Sequence, residues 1–163
     1  MKKITFILLA LISGTTFAQV KESTASATAN AAADIVSPIA IEASQDLNFG
    51  KVANNNAGTV VVATDSDISS SSLSQIGTTT PTAAIFNVTA ANGFSYSISL
   101  PQSVELTNGA ENITVDNFNH DATGNTTGSG SAQTVGVGAT LNVATNQATG
   151  NYKGTFDVTV TYE

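Results

Sequence analysis

Residues 152–162 alternate from end to end. Tyr152, Phe156, Val158, Val160 and Tyr162 share one parity, and Lys153, Thr155, Asp157, Thr159 and Thr161 share the other. A period of two sends successive side chains to opposite faces, so the pattern predicts a strand. At about 3.4 Å per residue it would run roughly 35 Å, about twice the usual length. A Tyr/Phe/Val face of that length has to be buried, and only a sheet of several strands can lie along it.

The rest of the chain supplies such strands. Ile39, Ile41, Ala43, Leu47 and Phe49 share a parity, with Ser44-Gln45 placed for a bulge. Residues 59–64 are Val-rich, and residues 65–81, rich in Ser and Thr, read as a long surface loop. Ala84, Phe86, Val88 and Ala90 alternate up to Asn92-Gly93, and Phe94, Tyr96, Ile98 and Leu100 alternate after it. Asn-Gly between two such runs predicts a β-hairpin. Ile113 and Val115 mark a strand over residues 112–118, and residues 119–131 read as loop. Val135, Val137, Ala139, Leu141 and Val143 form the next alternation, with Gly136 and Gly138 opposite them where close packing is expected. The expected fold is an all-β, antiparallel, Ig-like β-sandwich of about seven to nine strands.

Residues 19–36 carry a weaker version of the same signal. Ala25, Ala27, Ala29, Ala31, Ala33 and Ile35 alternate with Thr24, Ser26, Thr28, Asn30, Ala32 and Asp34. Alanine alone favours helix, but the period of two and the interleaved Thr and Ser predict a strand with small inward residues, with a disordered leader or a helix as the alternatives. Such a strand pairs with its own domain or with a neighbour's; the alternation serves both.

Residues 1–18 read as a cleaved secretory signal peptide. Lys2 and Lys3 precede the apolar run of residues 4–12, and Thr16-Phe17-Ala18 offers a small-x-small site. The run is much shorter than the ~20 residues needed to span a bilayer. Removing 18 of 163 residues leaves 145, one domain's worth, residues 19–163. The full chain has 5 Lys, no Arg and 12 acidic residues. Without Lys2 and Lys3, three Lys face those 12 acids, a net −9. Nucleic acid and anionic lipid require a cationic footprint that this balance does not supply. With no Cys, an exported chain has neither disulfides nor thiolate chemistry, and its stability rests on its core.

No constellation of catalytic type stands out. His120 is the single histidine; Asp116 and Asp121 flank it, but no Gly-x-Ser-x-Gly elbow accompanies it. It reads as a solvated loop side chain, and no catalytic, cofactor or metal residue is assigned. The Asp65-Ser66-Asp67 stretch and the loop after Asp116 are oxygen-rich, yet neither has the spacing of an EF-hand calcium loop. Tyr96, Tyr152 and Phe156 read as core rather than as a sugar-stacking platform, because they share parity with aliphatic neighbours.

Five motifs occur in order: Asp46-Leu47-Asn48-Phe49-Gly50, Gly58-Thr59-Val60, the run from Phe94 to Pro101, the run from Val137 to Val143, and Gly154 through Tyr162. In this order they resemble the bacterial secreted family known as domain of unknown function 4402. The chain departs from that family's frequent Gly-x-Arg turn, since residues 65–74 hold no Arg. More loosely, the ending is similar to spore coat protein U domains and to archaic chaperone–usher pilins. That likeness implies pairing of Phe156, Val158, Val160 and Tyr162 with a periplasmic chaperone during export. It also implies use of Ala25 to Ile35 to complete a neighbouring subunit. The expected function is therefore a non-enzymatic structural or adhesive protein of the periplasm, cell surface or medium, with itself or another exported subunit as partner. The alternative is a monomeric module that binds glycan or calcium through the loops 65–81 and 119–131.

Overall fold

The computed structural model describes residues 23–124 and 126–163, and the expected signal peptide lies outside them. The chain divides between Asp34 and Ile35. Residues 23–34 are exposed throughout and join no strand. The strand expected over residues 19–36 is thus absent from its described part. An Ala face buries little apolar area, so it offers a small return for the backbone entropy lost on pairing.

The described residues from 35 to 163 carry nine strands, every pairing among them antiparallel, and none of them is helical. They are β1 (Ala40–Gln45), β2 (Gly58–Val62), β3 (Ile68–Ser71), β4 (Ala84–Thr89), β5 (Tyr96–Ser99), β6 (Ser103–Thr107), β7 (Asn112–His120), β8 (Ala132–Val143) and β9 (Thr159–Tyr162). Seven form one sheet through β1-β4-β8-β2-β3, with β7 also on β8 and β6 on β7; β5 and β9 form a second. The all-β antiparallel expectation holds, and the layering is that of a sandwich with one small second sheet.

The 12-residue β8 is the spine. Val137 faces Ala84 of β4 and also His120 of β7, so these two strands lie on opposite edges. Leu141 likewise faces both Val60 and Val115, which puts β2 across from β7. Along one edge, β4 therefore hands over to β2 near Gly138. At that handover β8 is closely packed on the face opposite Val135, Val137 and Ala139: a Cβ on Gly136 would collide with the Thr64 carbonyl oxygen, and one on Gly138 with that of Val62. The glycines expected to permit close approach do so.

Two apolar clusters line the inner face. Val60, Val62, Ile113, Val115, Ala139, Leu141 and Val143 form one with Phe49, Leu73 and Ala83. Ala84, Val88, Tyr96, Val135 and Val137 anchor the other, against which Phe156, Val158, Val160 and Tyr162 pack. The second cluster is roofed by β5 and β9. The first is roofed only by irregular chain, through Leu47, Val52 and Tyr152.

Several local expectations change. The Asn92-Gly93 turn exists: Gly93 has φ 81°, and the Phe94 amide donates to the Ala91 carbonyl at 3.2 Å. It does not close a hairpin, because β1 and β8 occupy both edges of β4; β5 crosses instead to the other sheet and pairs with β9. The loop at 65–81 contains β3, an edge strand exposed at every residue and therefore without alternation to read. The bulge at Ser44-Gln45 is real, since Ala43 pairs with Phe86 and Gln45 with Ile85.

Candidate functional site

The terminal alternation is not one continuous ladder. Lys153 forms a two-way backbone bridge with Thr107 at the end of β6, with both bonds at 2.9 Å. Pairing resumes only where Thr159 faces Ser99, and it ends with Tyr162 on Tyr96. Adding partner numbers gives 260 at the first contact and 258 along the second. The register therefore slips by two across residues 154–158, which join no ladder. Opposite them the chain turns through Leu100-Pro101-Gln102, where Pro101 has no amide to donate.

Beside this break lies a trough of about 1330 Å³. Its floor is the first apolar cluster, with Val104, Leu106, Ile113, Val115, Leu141 and Val143. One wall is residues 46–54 and the other residues 147–156. The walls meet at one end: the Asn54 side-chain amide donates to the Gln147 carbonyl at 2.7 Å, and the Asn146 amide donates to the Asn54 carbonyl at 3.0 Å. Gln147 braces that end by donating to the Tyr152 hydroxyl at 3.0 Å, while the hydroxyl donates to the Ala148 carbonyl at 2.9 Å.

Short of Asn54, backbone bonding on the first wall is one-sided. Asn48 exchanges both its bonds with Thr82, the Ala53 amide donates to Ser74, and the Lys51 carbonyl accepts from Ile76. In an extended chain consecutive residues direct these groups to opposite edges, and no ladder forms on the edge away from residues 74–82. Lys51 and Lys153, the only two lysines among the described residues, both stand on the trough's rim, with Asp46 the acid there.

The expected pairing residues separate into two places. Ala25, Ala27, Ala29, Ala31 and Ala33 are exposed and unpaired, and Ile35 is 97% exposed. Phe156, Val158, Val160 and Tyr162 are half-buried on the second cluster. Phe156 sits where the trough ends, its ring 5.0 Å from Phe118 and 6.1 Å, nearly edge-on, from Phe86. The Tyr162 hydroxyl accepts from the Ala91 amide at 2.8 Å and donates to the Ser37 carbonyl at 3.0 Å. It thereby ties the last strand to the point where the leader joins the domain.

His120 is not the solvated loop side chain expected, since it ends β7 and is half-buried. Asp121 accepts from the Gly136 amide at 2.9 Å and Asp116 from Asn117 at 3.0 Å, so neither orients His120, whose buried Nδ1 has no partner. Asp65 accepts from the Asp67 amide, forming a local turn. Among the described residues no three His, Cys, Asp or Glu side chains gather as a metal site. Tyr96 is fully buried and cannot stack on a sugar; its hydroxyl lacks a partner, and burial pushes the phenol above its ordinary value.

Sequence reading missed β6 and with it a third of the trough floor, although Val104 and Leu106 alternate with Ser103, Glu105 and Thr107. The walls were not readable as such, because irregular segments carry no period. No curated protein and no solved structure gives a significant match to the chain. Residues 39–162 match the family described as domain of unknown function (DUF4402), a span that starts just after the exposed leader. The chain belongs to that family.

Proposed function

We propose that this is an exported, non-enzymatic structural or adhesive subunit that associates by strand addition, with copies of itself or with another exported subunit. The observation that carries this reading is the leader. Residues 23–36 hold the alternation of a strand, yet they are exposed and unladdered, and Ile35 ends them as a large apolar side chain in water. An extended segment with its backbone free gains main-chain bonds on any sheet edge that accepts it, and its alternate side chains then set the register. The edges are there to accept it: β3 lies at the end of the main sheet, and residues 154–158 are unpaired. A periodic terminal strand held by only four ladder residues also suits transient pairing with a periplasmic chaperone before assembly.

The test compares the chain from Gln19 onward with one lacking residues 19–36, by size exclusion and on unheated denaturing gels. The intact form is expected to give heat-sensitive ladders and the shortened form none. A monomeric intact form, with truncation merely lowering the melting temperature, would overturn the proposal.

A further inference from the structure

We infer that the trough between residues 46–54 and 147–156 is the acceptor for strand addition, and that its occupant is residues 25–35 of a second copy. The inference rests on the strand-addition reading and assigns its site.

Three features of the trough call for a strand. Its floor is apolar, and irregular chain covers it where a second sheet layer would otherwise lie. Its walls are joined at the Asn54–Gln147 contact, and both segments line the same open space. From Asn48 to Ala53 the backbone bonding of the first wall is committed to the edge facing residues 74–82, while residues 154–156 of the second wall join no ladder. A strand laid between the walls would give both of them hydrogen-bond partners and cover the floor with its inward side chains.

The leader matches in size and pattern. Phe49, Tyr152 and Phe156 are bulky lining side chains, which favours small inward side chains on an entering strand, as Ala25, Ala27, Ala29, Ala31 and Ala33 supply. Thr24, Ser26, Thr28 and Asn30 would then face water. Ile35, the one large member of the parity set, is the residue whose burial contributes most. Charge agrees: the rim has two lysines to one acid, whereas the only charged residue from Ser23 to Ile35 is Asp34.

The absence of cysteine makes the test unambiguous. Copies carrying Ala29→Cys are refolded together with copies carrying Thr155→Cys on the trough wall, or Ser70→Cys on β3. All three positions are exposed, so the fold tolerates the changes. After mild oxidation, the mixed disulfide is identified by mass. The expected result is a mixed dimer with Thr155→Cys at least tenfold above that with Ser70→Cys. If cysteine-free chains still ladder but the link forms with Ser70→Cys, or with neither, the trough assignment fails and strand addition stands. If cysteine-free chains do not ladder at all, the strand-addition reading itself fails, and this inference with it.

Discussion

Two tyrosines show how position decides what a phenol does. Tyr96 is buried with its hydroxyl unpartnered, which favours the neutral form and raises its pKa. The unfolded chain releases that proton near pH ~10, while the folded chain holds it to higher pH. The stability owed to neutral Tyr96 is therefore fully present below about pH 10 and lost as pH rises through the folded value. Thermal melts from pH 7 to pH 11 should show that Tyr96→Phe flattens the alkaline decline and costs little at pH 7, because no hydrogen bond is lost. Identical alkaline profiles would contradict this. Tyr162 is the opposite case, since its hydroxyl satisfies the Ala91 amide and the Ser37 carbonyl together. Tyr162→Phe leaves both without that partner, and denaturant titration should show a loss of about 1–3 kcal/mol. The ring contact with Phe94, at 6.0 Å, would remain.

At the scale of elements, legibility followed burial on one face. The alternating residues of β8 pointed to its length and its inward set, and Gly136 and Gly138 pointed to the close approach of residues 62–64. Replacing Gly138 with Val places side-chain atoms against the Val62 carbonyl and the Ala63 backbone, neither of which is a flexible side-chain end. We expect a loss of at least about 1–3 kcal/mol in chemical denaturation, as for overpacked cores; a variant as stable as the parent would show that the β4-to-β2 handover is looser than described. What the sequence concealed was pairing rather than strand character. Alternation in β4 and β5 was read correctly, but which edges were free depended on β1 and β8, which are distant in sequence. The break at residues 154–158 was hidden for the same reason: a register slip against Pro101 leaves no mark on the alternation of the slipped strand. β3 escaped notice because a strand exposed on both faces has no period.

For the whole molecule, a single chain presents an alternating leader without a sheet and an apolar floor without a strand above it. The family match covers residues 39–162 and so includes the trough but not the leader. Hydrogen exchange read by peptide mass spectrometry tests the link between them most directly. In assembled material the amides of residues 25–35 and those of residues 154–158 are predicted to be protected together, and to lose protection together when heat or dilution releases monomers. Leader amides that exchange freely in the assembly, or that stay protected in the isolated monomer, would contradict the account.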